Sequence, residues 1–183
     1  YLARFNYSYG DRYAVTASFR GDGSSRFGAE SKWGYFPSVS AGWSLSNEPF
    51  IKDAIGNTEI RLRASWGMSG NNNIGNYASI AAIGTGTVGL GSSLLPTSYE
   101  SAFVDAGLSW ETTKQTNIGV DLGFWNGRLN VIANYYNSIT TDVLYSLNIP
   151  AISGSGSTAT NLGDSKIRSR GFDIQVDARI LEG

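Results

Sequence analysis

Residues 116–135 read TNIGVDLGFWNGRLNVIANY. Thr116, Ile118, Val120, Leu122 and Phe124 fall on one parity, and Gln115, Asn117, Gly119 and Asp121 fall on the other. After Asn126-Gly127 the alternation resumes, with Leu129, Val131, Ala133 and Tyr135 set against Arg128, Asn130 and Asn134. A period of two belongs to a strand, whose successive side chains point to opposite faces. Asn-Gly supplies the positive φ angles of a tight turn. The stretch is therefore predicted as a β-hairpin with one apolar and one polar face.

The same pattern extends in both directions. Tyr1, Ala3, Phe5, Tyr7 and Tyr9 alternate with Arg4, Asn6 and Ser8, and beyond the turn residues Gly10-Asp11-Arg12 come Tyr13, Val15, Ala17 and Phe19 against Thr16, Ser18 and Arg20. Tyr35, Val39, Ala41, Trp43 and Leu45 oppose Ser38, Ser40, Gly42 and Ser44, and Ile60, Leu62, Ala64 and Trp66 oppose Glu59, Arg61, Arg63 and Ser65. A last strand sets Phe172, Ile174, Val176, Ala178 and Ile180 against Asp173, Gln175, Asp177 and Arg179. Helical apolar spacing is nowhere sustained; the nearest candidate is a short turn around Glu48 to Ala54. The class is all-β.

Composition removes whole chemistries. The 183 residues contain no Cys and no His, so there is no thiolate nucleophile, no Ser-His-Asp triad, no haem ligation and no zinc site of the Cys/His kind. A net charge of -1 from 14 basic and 15 acidic residues lacks the basic footprint of a phosphate-backbone binder, so nucleic acid is not an expected partner. Apolar runs fall short of a transmembrane helix, and the first residues show no basic segment followed by an apolar stretch as a signal peptide would. The chain opens on Tyr1, already in strand pattern, and we expect it to be a piece of a larger structure.

Two architectures account for the alternation. A β-sandwich buries the apolar parity in a core, whereas a membrane barrel turns it to lipid and the polar parity to a lumen. Several segments reach ten residues or more, near the ~9–11 that cross a bilayer at a tilt. Tight connections at Gly10 to Arg12 and Asn126-Gly127 contrast with long, glycine-rich polar ones expected at Gly21 to Lys32, Gly67 to Asn76, Gly84 to Ser98 and Ser153 to Asn161. Short turns alternating with long loops are the outer-membrane pattern. Aromatics gather near strand ends, at Trp33, Tyr35 and Phe36, at Trp43, and at Phe124 with Trp125, as interfacial girdles do.

Longer words in the sequence point to a family. Arg20-Gly21-Asp22-Gly23-Ser24-Ser25-Arg26-Phe27-Gly28, Trp33-Gly34-Tyr35-Phe36-Pro37-Ser38, Gly42-Trp43 and Asn47-Glu48-Pro49-Phe50 follow one another. Next come Arg61-Leu62-Arg63-Ala64-Ser65-Trp66-Gly67 with Gly70-Asn71, Trp110-Glu111-Thr112-Thr113, and Asn117-Ile118-Gly119-Val120-Asp121. Phe124 to Leu129, Tyr135-Tyr136, Asp142-Val143-Leu144, Asn161-Leu162-Gly163 and Ser169-Arg170-Gly171-Phe172-Asp173 complete the series. In order and spacing it resembles the C-terminal barrel of SusC/RagA-type TonB-dependent outer-membrane transporters, except in a variable region from Ile83 to Phe103. At the last word the family usually has Asn-(Lys/Arg)-Gly-aliphatic-Glu.

The resemblance implies an antiparallel up-and-down meander of eight or nine strands, forming part of a large, 22-stranded, plugged transmembrane β-barrel in a Gram-negative outer membrane. Residues 1–183 would be partial barrel only, with the plug domain and TonB-contacting segment absent. It further implies energised import of oligosaccharide or peptide cargo, with outer-membrane lipid around the wall. The TonB–ExbB–ExbD machinery would act through the missing plug, and a SusD-like lipoprotein would form the lid. If the polar parity faces inward, the lumen is lined by Arg20, Arg61, Arg63, Gln115, Asn117, Asp121, Asn130, Asn134, Asp173, Gln175 and Asp177, which solvate the lumen and hold the plug.

No catalytic, cofactor-binding or metal residue is assigned, and the chain is not read as an enzyme. Asp22 to Gly28 lacks the Lys-Ser/Thr ending of a phosphate loop and reads as a turn, with Gly23 and Gly28 free to take positive φ. Asp105 and Glu111 form a nominal carboxylate pair, but nothing sets their separation across a sugar ring. Asn71-Asn72-Asn73 lacks the spaced carboxylates of a calcium loop. Tyr77, Tyr99 and Trp110 are candidates for stacking on sugar rings, against the plainer role of capping strands.

Overall fold

The computed structural model describes residues 1–100, 103–150 and 157–180. Nine strands are present among them: β1 (Leu2–Tyr9), β2 (Tyr13–Gly23), β3 (Trp33–Ser44), β4 (Glu59–Asn71), β5 (Ile83–Leu90), β6 (Ser93–Glu100), β7 (Glu111–Phe124), β8 (Leu129–Asn148) and β9 (Ser157–Ala178). Seven form one antiparallel sheet in the order β1-β2-β3-β4-β7-β8-β9, and β5-β6 is a separate hairpin. Helical structure is confined to the β3–β4 connection, in a 3-10 turn (Leu45–Asn47) and the single short helix α1 (Pro49–Ile55), where the sequence showed its short turn.

The strands run further than the glycines suggested. β2 reaches Gly23 and β4 reaches Asn71, inside the loops expected at Gly21 and Gly67. The expected loop from Gly84 to Ser98 is the β5–β6 hairpin, turning at Gly91 with φ 63°. β9 begins at Ser157; of the loop expected from Ser153, residues 153–156 lie outside the described residues. The reason is that these glycines make room rather than break the strand. A Cβ on Gly67 would press on Ser38, one on Gly84 on the Tyr99 ring, and one on Gly23 on the Trp33 ring. Gly23 and Gly28 are accordingly not among the positive-φ glycines, which are Gly10, Gly56, Gly91 and Gly127.

Register aligns the two faces across the whole sheet. One polar rung runs Ser8, Ala14, Gly42, Arg63, Gly119, Asn134, Asp173, and the next apolar rung runs Tyr9, Tyr13, Trp43, Leu62, Val120, Ala133, Ile174. No second layer covers the apolar side: Phe172 is 80% exposed, Ile174 69% and Phe5 62%, and only Phe27, Phe36 and Leu108 are buried hydrophobics among the described residues. A sandwich would bury that parity, so the sheet is a barrel wall.

The apolar band also slants across the strands. Its lower edge is the ring pair Tyr13–Trp43 on β2 and β3, whose rung meets β8 at Ala133, yet on β8 the band continues down to Leu129. That descent is roughly one residue per strand, ~3.3 Å of rise for ~4.8 Å of spacing. It corresponds to a tilt of about 35°, within the range of membrane barrels. The upper edge is formed by stacked Tyr1–Trp33, just before β1 and on β3, by Phe19–Tyr35 on β2–β3, and by Tyr135–Phe172 on β8–β9.

Candidate functional site

The polar parity forms the hollow side. One open concavity of about 630 Å³ is lined from six strands, by Ser8, Thr16, Ser40, Arg63, Asn117 and Asn134 among others. Arg63 on its lining forms a fork: Nε donates to Asp121 Oδ2 at 2.8 Å and Nη2 to Asp121 Oδ1 at 2.6 Å, while Nη2 also reaches Asn134 Oδ1 at 3.1 Å. The three residues come from β4, β7 and β8, and Gly119 lies between them as bare backbone. A Cβ there would overlap Asn134 Oδ1 and press on Arg63. Beside the fork, Gln115 Nε2 donates to Asn117 Oδ1 (3.0 Å) and Asn117 Nδ2 to Ser65 Oγ (3.3 Å).

The other lumen residues read from the sequence share this face but spread over it. Asp121 and Asn130 line a neighbouring hollow with Arg61, and Arg61 makes no ion pair among the described residues. Arg20 sits near the long-loop end, where its Nε is 2.7 Å from Asp22. Asp173, Gln175 and Asp177 lie on the edge strand β9, with Gln175 donating to Asp177.

Both ends of the wall are stitched by residues that the hydropathy pattern did not single out. At the short-turn end Glu48, the N-cap residue of α1, is buried and accepts from Tyr13 Oη, Trp43 Nε1 (3.0 Å) and Arg12 Nη1 (3.2 Å). The Tyr13 hydrogen bond foremost, then those from Trp43 and Arg12, holds its carboxyl below the usual carboxylate range, against the opposing pull of burial. At the long-loop end β9 bulges opposite Asp142, between the pairs Thr141–Lys166 and Val143–Leu162. The groups this frees are taken up locally: Asn161 Nδ2 donates to the Asp142 carbonyl (2.7 Å), and Leu144 N–H donates to Glu111 Oε2 (3.0 Å).

The residues weighed for chemistry are spent on structure. Asp105 accepts from Gly107 N–H and Thr160 Oγ1, and Glu111 from Asn71 Nδ2 and Leu144 N–H. Asn72 Nδ2 donates to Ser24 Oγ, and Asn73 N–H to Asn71 Oδ1. No group of three carboxylates gathers among the described residues. Trp110 packs against Phe27 (5.2 Å between centroids) and Phe36 (5.5 Å), which corrects the placing of Phe36 in a lipid girdle. The Phe36 ring fills the space beside Gly34 and Gly70, leaving no room for a Cβ, with Trp110 also against Gly34. Tyr99 covers Gly84 and Gly86, and Tyr77 stands exposed.

A family model described as TonB dependent receptor-like, beta-barrel, matches residues 2–181. The chain belongs to the TonB-dependent receptor β-barrel family. TonB-dependent receptor P39 of Formosa agariphila is 38% identical to this receptor barrel over 97% of the chain and 17% of the relative. TonB-dependent receptor SusC of Bacteroides thetaiotaomicron is 35% identical over 98% of the chain and 18% of its own length. The RagAB peptide importer in its closed-closed state superposes with a TM-score of 0.84 at 29% identity, over the whole chain and 20% of that structure's chain. The receptor barrel segment thus spans less than a fifth of the length of these curated relatives.

Within this receptor barrel the family words acquire physical meanings. Asn47-Glu48-Pro49 caps the short-turn end, while Trp110-Glu111, Asp142-Val143-Leu144 and Asn161-Leu162-Gly163 converge on one bulge. The glycines of Asn117-Ile118-Gly119 and Arg170-Gly171 underlie the side chains of Asn134 and Tyr136.

Proposed function

We propose that residues 1–183 form part of the wall of an outer-membrane, TonB-dependent importer whose plug and TonB-contacting segment lie outside this segment. The observation that carries this is the two-sided sheet, with an uncovered apolar band outside and an amide-, hydroxyl- and ion-pair-lined hollow inside, in the register of a family of energised receptors. The lumen side chains carry hydrogen-bonding groups, which suits passage of a polar cargo past a plug. Similarity to SusC and to a structure described as a peptide importer supports oligosaccharide or peptide as that cargo, and a SusD-like surface lipoprotein as the lid.

The test is uptake of labelled oligosaccharides and peptides by cells with and without the gene, each in the presence and absence of a protonophore. Gene-dependent uptake that collapses with the proton gradient is the expected result. Gene-dependent uptake indifferent to the gradient would identify a passive pore and overturn the reading.

A further inference from the structure

The outward parity of β9 changes character within one rung. Ala178, Val176, Ile174 and Phe172 are followed by Arg170, Arg168 and Lys166 on the same face. Lys114 of β7 joins the Arg168 rung through Ile139 of β8. These are four of the 14 basic residues, all exposed, and none forms an ion pair among the described residues. The carboxylate nearest in sequence, Asp164, sits in the bulge opposite Asp142. Asn137 Oδ1 accepts from Arg168 Nε at 2.8 Å, which leaves the terminal nitrogens of the guanidinium as further donors. Along β9 the cations are spaced by ~6.6 Å, and Lys114 lies two strand spacings, ~9.6 Å, across.

Position and charge together select the ligand. The patch begins directly above the Tyr135–Phe172 ring pair, whose centroids are 5.1 Å apart, at the long-loop border of the apolar band. Side chains there snorkel along apolar surface and present their charge at headgroup depth. The four cations stand together at this border clear of any ion pair among the described residues, and the forked guanidinium matches phosphate oxygens. We propose that Lys114, Lys166, Arg168 and Arg170 form a site on the outside of the wall for the phosphates of a glycolipid headgroup in the leaflet on the long-loop side. The inference rests on the reading of this sheet as membrane wall.

The receptor carrying this segment is reconstituted in nanodiscs of phosphatidylcholine containing bis-phosphorylated lipid A or its dephosphorylated form, and retained lipid is counted by native mass spectrometry. We expect the phosphorylated form to be retained roughly tenfold more, a preference abolished when all four cations are changed to Gln and preserved by Arg61→Gln on the lumen face. Excess inorganic phosphate is expected to leave retention unchanged; displacement by it would make the site a free-anion site and overturn the proposal. Equal retention of the two lipids by the unmodified receptor also overturns it, and needs no variant to fold. Failure of the unmodified receptor to enter nanodiscs at all would instead sink the membrane-wall reading beneath it.

Discussion

Asn161 and Ser109 are joined as two backbones would be: Asn161 Oδ1 accepts the Ser109 N–H at 2.7 Å, and Asn161 Nδ2 donates to the Ser109 carbonyl at 3.0 Å. The same Nδ2 also reaches the Asp142 carbonyl, so one carboxamide holds the segment before β7 to the bulged pair β8–β9. Asn161→Ala strips partners from three partly buried backbone groups, a loss of roughly 1–3 kcal/mol. The segment at residues 105–110 should then exchange amide hydrogens faster and be cut sooner by protease, with β7 itself unchanged. Asn161→Asp keeps the acceptor for the Ser109 N–H but sets a carboxylate oxygen against the Ser109 and Asp142 carbonyls, so it should be no milder than Asn161→Ala.

The cross-strand pair Leu122–Val131 lies on the lipid parity, while Asn130, next to Val131, faces the hollow with Asp121. Leu122→Arg or Val131→Arg should impair membrane assembly by roughly 2–4 kcal/mol at mid-bilayer depth. Asn130→Arg should be mild. Heat-modifiable migration of the folded receptor on gels measures both, and equal damage from Asn130→Arg and Val131→Arg would show the faces to be reversed.

These faces were legible because alternation is written residue by residue, and one Asn-Gly pair fixes the register of a hairpin. Glycine-rich ends were read less well, since glycine marks a loop in sequence and yet here lies flat under Ser38, Tyr99 or Trp33 from a neighbouring strand. Only the pairing reveals that. The fork of Arg63, Asp121 and Asn134 was legible as three polar positions, but its contacts depend on a register between β4, β7 and β8 that skips the β5–β6 hairpin. Glu48 had no periodic signature at all, because it lies in a connection and its partners come from the β1–β2 turn, β2 and β3.

Glu48 gives the short-turn end a pH dependence of defined sign. Its carboxyl is held below the usual range, so the stabilisation is fully present above the unfolded value of about 4.3 and is lost as pH falls through the lower folded value. The unmodified receptor should therefore unfold at a higher temperature than Glu48→Gln at neutral pH. The gap should begin to close only below pH ~4.3. A gap that widened on acidification would contradict the hydrogen-bond arrangement of Tyr13, Trp43 and Arg12 around this carboxylate.

Gly70 and Gly119 separate two uses of the same residue. A methyl at Gly70 would overlap the Phe36 ring, which is itself buried against Trp110 and beside Gly34, so nothing nearby can move freely. Gly70→Ala should cost roughly 1–3 kcal/mol, as overpacking does. A methyl at Gly119 meets only the tip of the Asn134 side chain and the Arg63 guanidinium, which can swing into the hollow. Gly119→Ala should thus cost about 1 kcal/mol or less, the worth of the Arg63–Asn134 contact it displaces. Unfolding midpoints of the two variants in detergent decide it: comparable losses would mean that the Arg63–Asp121–Asn134 fork is as rigid as the aromatic cluster, and that the lumen face is packed rather than open.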